Sequence, residues 1–112
     1  MAASLQSALT AGGSSSLVLC HISHVYPTGA SLYFTVLGAQ QDDPIAQWDA
    51  AKRAVSDAIV GNGGTITHHH AVGTDHRPWM DAEIGDLGVR ILRAVKETLD
   101  PAGILNPGKL IP

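Results

Sequence analysis

Charge is scarce in this chain, and so are cysteine and long apolar runs. Asp, Glu, Lys and Arg make up 15% of the 112 residues, against about a quarter in an ordinary soluble domain, which points to surface meant to meet other protein. The seven Lys and Arg are scattered and the net charge is -3, so nothing forms an electrostatic footprint for nucleic acid or an anionic membrane. The single cysteine, Cys20, excludes an internal disulfide. In the run Leu17-Val18-Leu19-Cys20 it reads as a small buried hydrophobe in a reducing compartment. No apolar stretch approaches the roughly 20 residues of a membrane span, and the first residues lack the basic, then apolar, pattern of a secretory leader. A cytoplasmic location is the expectation. Neither Gly12-Gly13 nor the glycines between Gly61 and Gly64 have the spacing and lysine of a phosphate loop, so no nucleotide-binding motif is present.

What remains is enough for one domain with its own core: 112 residues, 45% of them hydrophobic, need neither disulfide nor structural metal. Residues 1–16 read as a linker or the end of a preceding helix, with helical turns over Ser4 to Ala11 and then the flexible Gly12-Gly13-Ser14-Ser15-Ser16, like a chain arriving from elsewhere. Leu17 to Tyr26 and Ala30 to Leu37 are two β-prone runs around the turn Pro27-Thr28-Gly29, which predicts a hairpin. In the second strand Leu32, Phe34 and Val36 share one face and Ser31, Tyr33 and Thr35 the other, so Tyr33 points away from the core. Asp43-Pro44 is a helix start, and Ile45, Trp48, Val55 and Ile59 fall along one stripe, which makes Trp48 a core residue. Thr65-Ile66-Thr67 reads as a short strand. Pro78 and Asp81 open a second helix whose Ile84, Leu87, Ile91, Val95 and Leu99 recur every three or four residues. Asp100-Pro101 stops it, and the tail to Pro112 is expected to wander over the surface. The order predicts an α+β fold: a small antiparallel sheet with two main helices packed on one face.

Six histidines are grouped as His21 and His24, the triplet His68-His69-His70, and His76. Clustered imidazoles suit acid-base work, oxyanion binding or metal ligation, because histidine exchanges its proton nearest neutral pH. In an extended segment His68 and His70 point to one face and His69 to the other, so all three cannot easily hold one metal, although His24, His68 and His70 could. The plain alternative is that these imidazoles hydrogen-bond backbone groups around a glycine-rich turn. Tyr26 and Tyr33 can serve as acid, base or hydrogen-bond donor, or can simply pack. Trp79 can anchor a core or line a pocket.

Three runs carry a resemblance. They are Cys20-His21-Ile22-Ser23-His24-Val25-Tyr26-Pro27-Thr28-Gly29-Ala30-Ser31-Leu32-Tyr33-Phe34, Gly63-Gly64-Thr65-Ile66-Thr67-His68-His69-His70-Ala71-Val72-Gly73, and Asp100-Pro101-Ala102-Gly103-Ile104-Leu105-Asn106-Pro107-Gly108-Lys109. Together they resemble the FAD-linked oxidases of the vanillyl-alcohol-oxidase type. The closing run is shared widely in that superfamily, including glycolate oxidase subunits and D-lactate dehydrogenases. The triple histidine resembles the alkyldihydroxyacetonephosphate synthase branch.

The resemblance implies that residues 17–112 are the C-terminal substrate or cap region of a larger flavoprotein. Tyr33 then looks like the family's catalytic tyrosine and His68, His69 and His70 like its essential histidines, with His70 and Asn106 next to the cofactor, FAD. Metal-dependent D-2-hydroxyacid relatives have Gly-Glu-His-Gly where this chain has His68-His69-His70-Ala71, and a ligating histidine where Tyr33 stands, so the resemblance implies no metal. Ala71 departs from a common glycine. The implied activity is that of an FAD-dependent oxidoreductase, or of a synthase in which a fatty alcohol displaces the acid on a dihydroxyacetone-phosphate carbon. Its partners would be the FAD-binding domain of the same or another chain and a small-molecule or lipid-like substrate. Because no FAD-binding segment lies before Leu17, the expectation is that these 112 residues alone neither hold FAD tightly nor turn over substrate. Two other readings stand beside it: a stand-alone histidine metal-binding module, and a noncatalytic α+β partner of a separate FAD subunit.

Overall fold

The computed structural model describes Gln6, Ser7, Thr10 and residues 15–112. Its elements are β1 (Ser16–Tyr26), β2 (Gly29–Gly38), α1 (Pro44–Gly61), a 3-10 turn (Arg77–Trp79) and α2 (Met80–Leu99). A two-stranded antiparallel sheet and two helices make this a small α+β fold. Of the helical turns expected over residues 4–11, Gln6, Ser7 and Thr10 are helical; the rest of that span, and residues 12–14 of the expected loop, lie outside the described residues. Residues 1–59 and 60–112 form two compact units.

In the first unit, β1 and β2 close around Pro27-Thr28 and pair from Ser16 with Gly38 to Tyr26 with Gly29. A β-bulge interrupts the register between Ile22 and His24, so Ser23 has no partner of its own on β2. Helix α1 starts as its sequence dictates: the Asp43 carboxylate accepts the Ala46 N–H at 3.0 Å, a cap of about 1 kcal/mol. The Gln47 side chain ties the incoming loop to the helix, donating to the Ala39 carbonyl and accepting from the Gln41 N–H. Ala51 is the buried centre, with Val18, Phe34, Val36 and Val55 packed against it. That contact covers only the part of the sheet that carries Val18, Phe34 and Val36.

Two expectations fail for that reason. Cys20 is exposed rather than buried, as is Ile22 on the same sheet face; neither is among the residues packed on Ala51. Trp48 is 57% exposed and is not core. It flanks a cleft of about 500 Å³ between α1 and the sheet, and the Lys52 ammonium lies 5.8 Å from its ring centre, within cation-π range.

In the second unit the strand expected at Thr65-Ile66-Thr67 does not form: among the described residues the sheet consists of β1 and β2. A β-branched run without a neighbouring strand gains no ladder bonds. Instead Ile66 is buried and its N–H donates to the Glu83 carboxylate at 3.2 Å. Helix α2 has a kink at Gly85, whose φ of 67° and ψ of 169° belong to a region that essentially only glycine occupies. Met80 and Val89 are buried, whereas Ile84, Leu87, Ile91, Val95 and Leu99 are exposed. The periodic stripe is therefore real but uncovered, where the sequence predicts it to face a core.

The tail is anchored rather than wandering. The Asp100 carboxylate accepts the N–H groups of Ile104 and Leu105 at 3.1 and 2.9 Å and pairs with the Lys96 ammonium. Lys96 also donates to the Leu105 carbonyl. Further on, the Arg77 guanidinium donates to the Gly108 carbonyl at 3.2 Å, the Leu110 N–H to the Gly73 carbonyl at 3.0 Å, and Arg93 to the Pro112 carbonyl at 2.6 Å. A segment too rich in proline and glycine for a helix is held by side chains and loop carbonyls.

Candidate active site

The candidate residues fall on three segments. On β2, Tyr33 is 55% exposed and directly opposite His21 of β1. It lies on the sheet face away from Ala51, as its alternation predicts: Phe34 and Val36, of opposite parity, are the residues packed on the helix. Ser31, two positions along, faces His24. His24 and Tyr26 stack with ring centres 6.3 Å apart and planes 7° from parallel.

The triplet is not extended, so its side chains do not alternate between two faces as the sequence predicts. His68, His69 and His70 are exposed in a bend, and their rings pack edge to face around His69, with centres 4.7 and 4.6 Å apart. The Nδ1 atoms of His68 and His69 are 2.7 Å apart. At that distance the N–H of one ring donates to the bare nitrogen of the other, the direction depending on the tautomers. The bend is closed by Ala71, whose φ of 53° is left-handed. A glycine would adopt that conformation without the steric cost an alanine meets.

Asn106 also has a left-handed φ, 44°, which asparagine tolerates better than most residues. Its position is set by Asp100 and Lys96, which hold residues 104 and 105 just before it. Because Leu110 pairs with Gly73, the run that carries Asn106 returns to the loop that leaves the triplet. The sequence reading missed these organisers, taking Asp100 only as a helix stop; the signal was an acid at the helix end with a lysine one turn earlier, at Lys96. Among the described residues, no group of three or more His, Cys, Asp or Glu side chains is arranged to hold a metal ion.

The family described as FAD linked oxidases, C-terminal domain, matches residues 1–110. The chain belongs to that family. It is 42% identical over 96 residues to alkyldihydroxyacetonephosphate synthase of Dictyostelium discoideum and 37% identical over 101 residues to that of Trypanosoma brucei brucei. These matches cover 85% and 89% of this chain but only 16% of each relative. An FAD-linked oxidoreductase of Escherichia coli is 28% identical over 97 residues, 82% of this chain and 20% of its own length. The chain thus spans a small part of the curated relatives it matches. No helix of the described residues is long and apolar enough to cross a membrane.

Membership in an FAD-linked family implies FAD in the full-length proteins. A dinucleotide diphosphate is usually taken by a helix N-terminus. Among the described residues, the N-termini of α1 and α2 already carry acids: Asp43 caps α1, and Asp81 and Glu83 lie in the first turn of α2. Added negative charge there is repelled. The exposed imidazoles and the Asn106 amide, by contrast, are the kind of donors that suit the polar rim of a flavin ring.

Proposed function

We propose that residues 17–112 form the substrate-side wall of an FAD-dependent oxidoreductase or alkyldihydroxyacetonephosphate-synthase-like enzyme, with residues 1–16 as the connection to the rest. FAD supplies the electron chemistry when it is held by the flavin-binding domain of the same or another chain. In this reading Tyr33 acts as acid or base toward the substrate. The His68 and His69 pair takes and returns a proton, and its donors, with those of His70, hold the oxygen on which negative charge develops. His70 and Asn106 stand at the flavin edge. The substrate is a small or lipid-like molecule.

One observation supports this reading most directly: the Leu110 to Gly73 bond links the closing run to the histidine loop, so the two segments expected at the cofactor are tied to each other. The exposed stripe of α2 supplies apolar surface for the flavin-binding polypeptide to cover.

Titration of FAD into the purified 112-residue chain, and into the same chain mixed with the flavin-binding domain of a relative, tests the proposal. Retention of flavin only in the mixture is the expected outcome. Stoichiometric yellow protein from the chain alone would remove the need for a second polypeptide.

A further inference from the structure

The hairpin carries no Asp, Glu, Lys or Arg anywhere in β1 or β2. Its ionisable side chains are His21, His24, Tyr26, Tyr33 and Cys20. In a regular ladder the even-numbered His24 would share a face with Cys20 and Ile22, away from His21. The bulge changes this. Because Ser23 is the extra residue, His24 sits opposite Ser31 instead of Ala30, and cross-strand partners share a face. His21, His24, Ser31 and Tyr33 therefore all lie on one face, with Tyr26 stacked on His24. Directly opposed side chains have Cβ atoms about 5 Å apart and diagonal ones about 7 Å, so Tyr33 is bracketed by His21 across the ladder and His24 on the diagonal. Bulges recur next to active sites because they re-aim one side chain.

We propose that this bracket is an oxyanion-binding site: His21 and His24, with the hydroxyls of Tyr33 and Ser31, grip a carboxylate or phosphate oxygen of the substrate. The chemistry is that of a face with hydrogen-bond donors and no fixed charge of either sign. The shared face carries two imidazoles and two hydroxyls, the His24 Nδ1 lying 3.1 Å from the Ser23 hydroxyl oxygen, and neither strand supplies a carboxylate to repel an anion or a lysine to neutralise one. Hydrogen bonds to an ionised acceptor are about twice as strong as neutral ones. The inference rests on the reading that the Tyr33 face looks onto the substrate, and it adds the substrate's charged oxygen to that reading.

The test uses the 112-residue chain without flavin, so its outcome is separate from that of the FAD titration. Inorganic phosphate and acetate are titrated separately while the imidazole signals of His21 and His24 and the ring signals of Tyr33 are followed by NMR. Saturable movement of all three residues is expected. Earlier saturation by phosphate assigns a phosphate ester, and earlier saturation by acetate a carboxylate. His24→Gln should weaken binding about tenfold, and His21→Gln likewise. Deleting Ser23 leaves His24 opposite Ser31 in a now regular ladder, and binding should survive. The proposal is overturned if neither anion saturates, or if His24→Gln and His21→Gln both bind as the parent chain does.

Discussion

Leu110 donates its backbone N–H to the carbonyl of Gly73 at 3.0 Å, joining the end of the chain to the loop that follows the histidine triplet. Arg77 reinforces the join through the Gly108 carbonyl, and Arg93 through that of Pro112. None of these partners is near the other in sequence, and each bond is worth about 1 kcal/mol net. Together they convert a proline- and glycine-rich tail into a strap that carries Asn106.

The strap should respond to acid. The Lys96 ammonium bonded to Asp100, and then the Leu105 N–H, hold the Asp100 carboxyl below its ordinary value. A depressed carboxyl stabilises the folded state above its unfolded pKa, near 4, and that contribution is lost as pH falls through the lower folded value. Amide exchange at Ile104 and Leu105, corrected for the intrinsic rate, should stay protected at pH 6 and lose protection progressively below about pH 4. In Asp100→Asn the protection should be weaker at pH 6 and no longer vary over that window. Unchanged protection in the variant would rule out this role.

Two backbone positions should answer substitution with opposite signs. Gly85→Ala places a side chain in a glycine-only conformation and should destabilise the chain by about 1–3 kcal/mol in chemical denaturation. Ala71→Gly relieves a left-handed alanine, a gain of about 1 kcal/mol that the greater freedom of the unfolded glycine partly offsets. A small rise in the midpoint is expected. A loss of stability of more than 1 kcal/mol would contradict the left-handed bend.

In the full-length flavoprotein, Tyr33→Phe should lower kcat by about 100-fold or more, the range for loss of a positioned acid or base. Flavin content should not change, because the proposal assigns the phenol to the substrate and not to the cofactor. A variant with normal kcat would remove Tyr33 from the chemistry, and one that loses flavin would make it a cofactor residue.

How far the sequence could be read depended on how local each feature is. The hairpin follows from two β-prone runs around Pro27-Thr28, the α1 start from Asp43 ahead of Pro44, and the α2 start from the acids behind Pro78. Each of these signals acts within one turn or strand. The three quoted runs were enough to place the chain in its family. Strand Thr65 to Thr67 was misread because β-propensity does not say whether a partner strand exists, and Ile66 found Glu83 instead. Periodicity found the stripe of α2 but could not tell whether anything covers it.

By itself, then, the sequence determined the α+β class, the two helices, the alternation that turns Tyr33 from the helix-covered face, and membership among the FAD-linked oxidase C-terminal domains. Only the tertiary structure decided that His24 joins Tyr33, that the three imidazoles pack around His69, and that the tail is strapped to Gly73. Those outcomes depend on pairing register and on bonds between distant residues. Their free energies come from partners that no local window of sequence contains.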